Sequence, residues 1–100
     1  MTVLGDNSVS TVSVGSSSTP ILAANNSRKH AVITNMSDEV VYLSEGAAAE
    51  STKGIALAPA SSGAPVPAGI YRTGENGVLF KGAIYGICAS GSKSVAVKES

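Results

Sequence analysis

Apolar and polar positions alternate with a period of two through much of this chain, and no stretch sustains the 3.6-residue period of a helix. Near the start, Val9, Thr11 and Ser13 alternate with Ser10, Val12 and Val14, which predicts a strand. Gly15 to Pro20 then reads as a flexible break. The runs His30 to Asn35 and Val40 to Ser44 are β-branched and nearly continuously apolar, as in strands covered on both faces. Met36 to Glu39 lies between them and predicts a hairpin with a four-residue loop. Ala47 to Glu50 favours helix by propensity, but one turn between Gly46 and Gly54 cannot nucleate, so Glu45 to Lys53 is expected as a surface excursion.

Further strands are expected at Ile55 to Leu57, Gly69 to Arg72, Val78 to Lys81, Ala83 to Ala89 and Ser94 to Lys98. Residues 59–69 hold three prolines and two glycines and predict a loop, and Asn76-Gly77 predicts a tight turn. The fold class that follows is all-β: one small β-sandwich or jelly-roll-like barrel of about seven or eight short antiparallel strands. Residues 1–19 are expected as a polar β-prone arm or first strand, and residues 20–100 as the sandwich domain.

Composition limits the core. The 43% hydrophobic fraction is rich in alanine and valine, with no tryptophan and one phenylalanine. At about 25 cal/mol per Å² an alanine side chain gains little from burial. Phe80, Tyr42, Tyr71, Tyr85 and the larger aliphatic residues are therefore expected to supply most of the drive, and association with neighbours to add stability.

Seven basic and seven acidic residues cancel, without the clustered basic face that nucleic-acid binding needs. Arg28-Lys29-His30 reads as the solvated start of a strand. Met1 to Ser18 lacks the basic and apolar regions of a secretory leader, and no run of 18 apolar residues predicts a membrane span. Cys88, the single cysteine, lies in an apolar stretch and is expected as a small buried hydrophobe.

The sequence carries no catalytic or ligand-binding constellation. His30 is the sole histidine and no Gly-x-Ser-x-Gly elbow accompanies it. One His and one Cys do not make a zinc site, and no carboxylates have the spacing of a calcium loop. Gly86-x-x-x-x-Gly91-Ser92-Lys93-Ser94 approaches a phosphate-binding loop with one residue inserted, but a strand pattern follows it where a helix is required. The expectation is a non-enzymatic chain with no cofactor and no metal.

The stretch Ser27 to Leu43 resembles small virion proteins of tailed bacteriophages. In those proteins a basic pair opens a strand, an Asn-x-Ser turn follows, and a second strand carries an aromatic, here Tyr42. The similarity continues through Gly46 to Ala49 and Gly54 to Pro59, and resumes at Lys81 to Ile87 and Val95 to Val97. Ala60 to Pro67 departs from it, standing where such proteins have a short glycine turn. The resemblance implies a compact β-sandwich displayed on a phage particle.

Its leading implication is a capsid decoration (cement) protein that binds the outside of the head and bridges capsid subunits, located in the virion and assembled in the host cytoplasm. The alternative is a neck, head-fibre or tail component with a glycan-binding role. The expected partners are the major capsid protein or another virion protein. The chain itself is expected to form a homo-oligomer, with a trimer suggested by the three-fold sites of capsids. Neither nucleic acid nor membrane is expected. Candidate interface residues are Val9, Thr11, Val12 and Val14 on the first strand, Arg28, the turn acids Asp38 and Glu39, and Tyr42.

Overall fold

The computed structural model describes residues 8–60, 69–74 and 79–99. They form eight strands: β1 (Ser8–Val14), β2 (Thr19–Leu22), β3 (Ala31–Asn35), β4 (Val41–Glu45), β5 (Ile55–Leu57), β6 (Ile70–Thr73), β7 (Ile84–Cys88) and β8 (Lys93–Glu99). One four-stranded sheet runs β1-β8-β3-β6 and the other β2-β7-β4-β5, and every pairing is antiparallel. The pairs β1–β8, β2–β7, β3–β6 and β4–β5 describe one long hairpin, turned at β4–β5 and rolled up on itself. That winding is the eight-stranded jelly roll.

The core lies between the sheets. Val14, Ala31, Ile33, Val41, Leu43, Ile84 and Val95 are fully enclosed, with Ile21, Leu22, Leu57, Tyr71, Cys88 and Val97 completing it. Burial alternates along β3 and β4, so each strand covers one face and is not sandwiched on both as its apolar run suggested. The reason is that Val32 and Tyr42 sit on outer faces, where half-exposed apolar side chains are common. Of the four aromatic residues only Tyr71 is buried in the core and Phe80 packs at its margin, so aliphatic side chains carry most of the burial. Gly86 lies in the middle of β7, where a Cβ would come within 2.4 Å of the Ile21 side chain and 3.3 Å of Leu43. Its missing side chain lets those two residues close over the strand.

Three local expectations are corrected. The break after β1 ends at Ser18, and Thr19-Pro20 already belong to β2. Pro20 is tolerated there because β2 is an edge strand with an irregular register between Pro20 and Leu22. The Thr19 hydroxyl tightens the turn, accepting from Gly15 N–H and donating to Ser17 O.

β3 and β4 do not form a hairpin. They lie in different sheets, and residues 36–40 arch from one to the other. Asn35 makes that possible. Fully buried, its Nδ2 donates to Glu39 O at 2.7 Å and Leu57 O at 3.0 Å, while its Oδ1 accepts from Ser37 N–H and Oγ–H. One amide thus satisfies backbone groups of the arch and of Leu57 on β5 that lie apart in the sequence. Gly69 closes the same corner, accepting from Asn35 N–H and donating to Ala58 O. A Cβ on Gly69 would lie 2.3 Å from Ala58 N, so only glycine fits.

Leu79 to Lys81 form no strand, although their apolar pattern suggested one, and Val78 lies outside the described residues. The carbonyls of Phe80, Lys81 and Gly82 are taken instead by Arg28 and Asn25. The predicted turn at Asn76-Gly77 and most of the proline-rich loop also lie outside the described residues.

Candidate functional site

The structure separates the candidate interface residues into four places. Arg28 is the largest departure from expectation, for it is 1% exposed and not at a solvated strand start. Its Nε donates to Glu99 Oε2 at 2.7 Å, Nη1 to Phe80 O and Gly82 O, and Nη2 to Ala23 O. The planar guanidinium suits this work because its donors fan out in fixed directions. Asn25 Nδ2 reaches the same Glu99 oxygen at 3.4 Å. Arg28 therefore clamps the β2–β3 loop to β8 and to the segment preceding β7, and is a stability residue out of reach of a partner.

Tyr71 bridges the sheets nearby. Its hydroxyl donates to the Glu45 carboxylate at the end of β4. Burial, then the hydrogen bond and charge of Glu45, push the phenol up to about 12 from its ordinary 10.0. An unfolded chain releases this proton near 10.0, while the folded chain holds it to about 12. Between those values the unfolded state binds fewer protons, so stability falls as pH rises. Denaturation midpoints measured across this alkaline range should fall less steeply for Tyr71→Phe than for the unaltered protein. Parallel declines would remove Tyr71 from the linkage.

Asp38 and Glu39 occupy the arch and are engaged within the molecule. Asp38 pairs with Lys93 at 2.7 Å, and this hydrogen bond and charge hold its carboxyl below the ordinary range. Glu39 accepts from Ser90 N–H at 3.0 Å and from the Ser90 hydroxyl, which lowers its carboxyl too. The two acids anchor the β7–β8 turn at an exposed corner. Surface pairs of this kind add little stability.

Tyr42 lies on the outer face of the β2-β7-β4-β5 sheet. It stands directly opposite Ile87, with Tyr85 two residues before Ile87 on the same face. Both tyrosines are half-exposed. The β4–β5 loop crosses toward β2, where the buried Ala49 donates its N–H to the Ser18 hydroxyl.

β1 holds the remaining candidates. Val14 is fully buried in the core and Val12 packs partly against it, so the inner positions serve packing, and Val14 is unavailable to a partner. Thr11 is exposed on the outer face. Val9 pairs with Lys98 by its backbone, and its side chain lies outside the described residues. β1 pairs along its whole length with β8, so residues 8–14 are the first strand of the sandwich. Among the described residues β1 ends its sheet, which leaves its other edge facing outward.

That edge differs from the other three. β2 carries Pro20 and a register shift, β5 has only three residues, and β6 has four with the exposed Arg72 among them. These are the devices that keep sheet edges from pairing. β1 has seven residues, Ser-Val-Ser-Thr-Val-Ser-Val, in unbroken register with neither charge nor proline. Composition alone could have found this strand, but not the contrast with its fellow edges, which needs the topology.

On the outer face of the same sheet Thr11, Ala96, Thr34 and Ile70 form one row across four strands. Beside it a groove of about 230 Å³ is lined by His30, Val32, Thr34, Ala96, Val97 and Lys98. Among the described residues no three of His, Cys, Asp and Glu come together to hold a metal ion. Cys88 is buried with its thiol donating to Val14 O. Compared with protein-family models, curated proteins and solved structures, the chain matches none.

Proposed function

We propose that this chain is a structural protein of a tailed-phage virion, a decoration (cement) protein that binds the outside of the head and works by contact without catalysis. The observation that carries this reading is the β1 edge: seven residues with outward-facing main-chain donors and acceptors and none of the features that discourage pairing. Two further points support it. The residues of Ser27 to Leu43 resemble small virion proteins, and jelly rolls recur in viral capsid domains, which is support by fold analogy alone. The partners under this reading are the major capsid protein or another virion protein, together with further copies of the chain.

The test is localisation on the particle. Phage particles that carry this chain, imaged by cryo-EM with and without it, should differ by density on the outer head surface between capsid subunits. Density confined to the neck or tail would reject decoration and favour a second reading. That second reading, recognition of a glycan, is supported by Tyr42 and Tyr85 on one sheet face, where aromatic rings can stack on sugars. Loss of glycan-array binding on Tyr42→Ala would establish it.

A further inference from the structure

We infer that the β1 edge pairs with the β1 edge of a second copy of this chain, about a two-fold axis beside Thr11. The inference rests on β1 being a contact edge and names what meets it.

The choice of occupant follows from the four edges. A three-fold or other head-to-tail arrangement requires β1 of one copy to pair with a different edge of the next. Each described alternative is obstructed, at β2 by Pro20 and the register shift, at β5 by its length, and at β6 by its length and Arg72. A second copy brings an edge as open as the first. Like-with-like pairing also closes, because each copy then spends the one unguarded edge among its described strands and no filament can grow through it.

The register follows from the sequence of β1. Full overlap of seven residues in antiparallel sense sets Thr11 opposite Thr11, Val9 opposite Ser13, and Ser10 opposite Val12. Threonine pairs across strands are favourable, and the absence of charge in β1 means that no like charges meet. The half-buried Val12 gains cover from the second copy, while the zero net charge of the chain adds no long-range repulsion. The two sheets become one eight-stranded sheet in the order β6-β3-β8-β1, then β1-β8-β3-β6 of the second copy. A single strand pair buries less than the roughly 1,200 Å² of a typical stable interface, so the dimer is weak in dilute solution. Copies held close together on a surface reach the concentration it needs.

Sedimentation of the purified protein over a wide concentration range should show a reversible monomer–dimer equilibrium. Thr11→Lys places two ammonium groups at the axis and should weaken the dimer at least about tenfold, with an unchanged circular dichroism spectrum. Thr11→Cys should cross-link to a dimer under diamide much faster than Thr34→Cys, which lies on the same outer face but on an interior strand. A trimer, a monomer at all concentrations, or equal cross-linking rates would overturn the inference. If the unaltered protein is monomeric yet Thr11→Lys loses the particle, the edge meets the coat directly. The two-fold pairing is then wrong while the virion role stands.

Discussion

Arg28→Ala should be the most damaging single substitution in the described part of this protein, costing about 3–5 kcal/mol in denaturant titration. The change leaves three partly buried carbonyls, of Ala23, Phe80 and Gly82, without their Arg28 donor, empties a fully enclosed side-chain site and strips Glu99 of its cation. Glu99 keeps 19% of its side chain exposed and so recovers some solvation. Against a total stability of roughly 5–15 kcal/mol for a domain of this kind, the loss is a large share of the whole. Arg28→Lys retains the charge but cannot fan donors to four acceptors, and should fall between Ala and Arg. Glu99→Gln keeps an acceptor for Nε and should cost less than either. A midpoint for Arg28→Ala that corresponds to under 1 kcal/mol of loss would refute the clamp.

Asn35 is the second expected hot point. Asn35→Ala removes the amide that serves Ser37, Glu39 and Leu57, and each orphaned group costs about 1–3 kcal/mol. We expect a total of about 4 kcal/mol. Asn35→Asp is the sharper test because the shape is kept. Its carboxylate would confront the carbonyls of Glu39 and Leu57, to which the native side chain donates. The folded-state pKa of that aspartate is therefore raised above its unfolded value, so the folded state binds the extra proton. The deficit is full at neutral pH and shrinks as pH falls through the raised pKa. A deficit independent of pH would mean that the arch tolerates the charge by rearranging.

These two residues also mark where sequence reading succeeds and where it stops. The strands containing Ile33, Leu43, Ile84 and Val97 were legible because each alternates or carries a β-branched run, and the all-β class followed. Arg28 was misread because a charged residue beside Lys29 and His30 looks solvated, and the four acceptors that bury it come from positions 23, 80, 82 and 99. No local pattern connects those positions. Asn35 was read as the end of a hairpin strand for a similar reason, since its partners specify an arch only when Leu57 is included. Leu79 to Lys81 shows the converse, an apolar run that forms no strand, with the Phe80 carbonyl claimed by the Arg28 side chain and the Lys81 carbonyl by the Asn25 backbone N–H. Among the candidate interface residues, Thr11 and Tyr42 face outward, whereas Arg28 and Val14 were drawn into the interior. Alternation placed Val12 and Val14 on one face without saying which face the second sheet would cover.

The rolled-hairpin winding bears on how the chain reaches its final form. β4 and β5 are close neighbours along the backbone, whereas β1 finds β8 only after nearly the entire described chain has been made. Pairings at such separation are slow to form, because the loop entropy is lost before the contacts reward it. During synthesis β1 thus waits longest with both its edges bare. Three serines among its seven residues keep the waiting segment hydrated, while the strand holds neither charge nor proline to block pairing once β8 has claimed its inner edge.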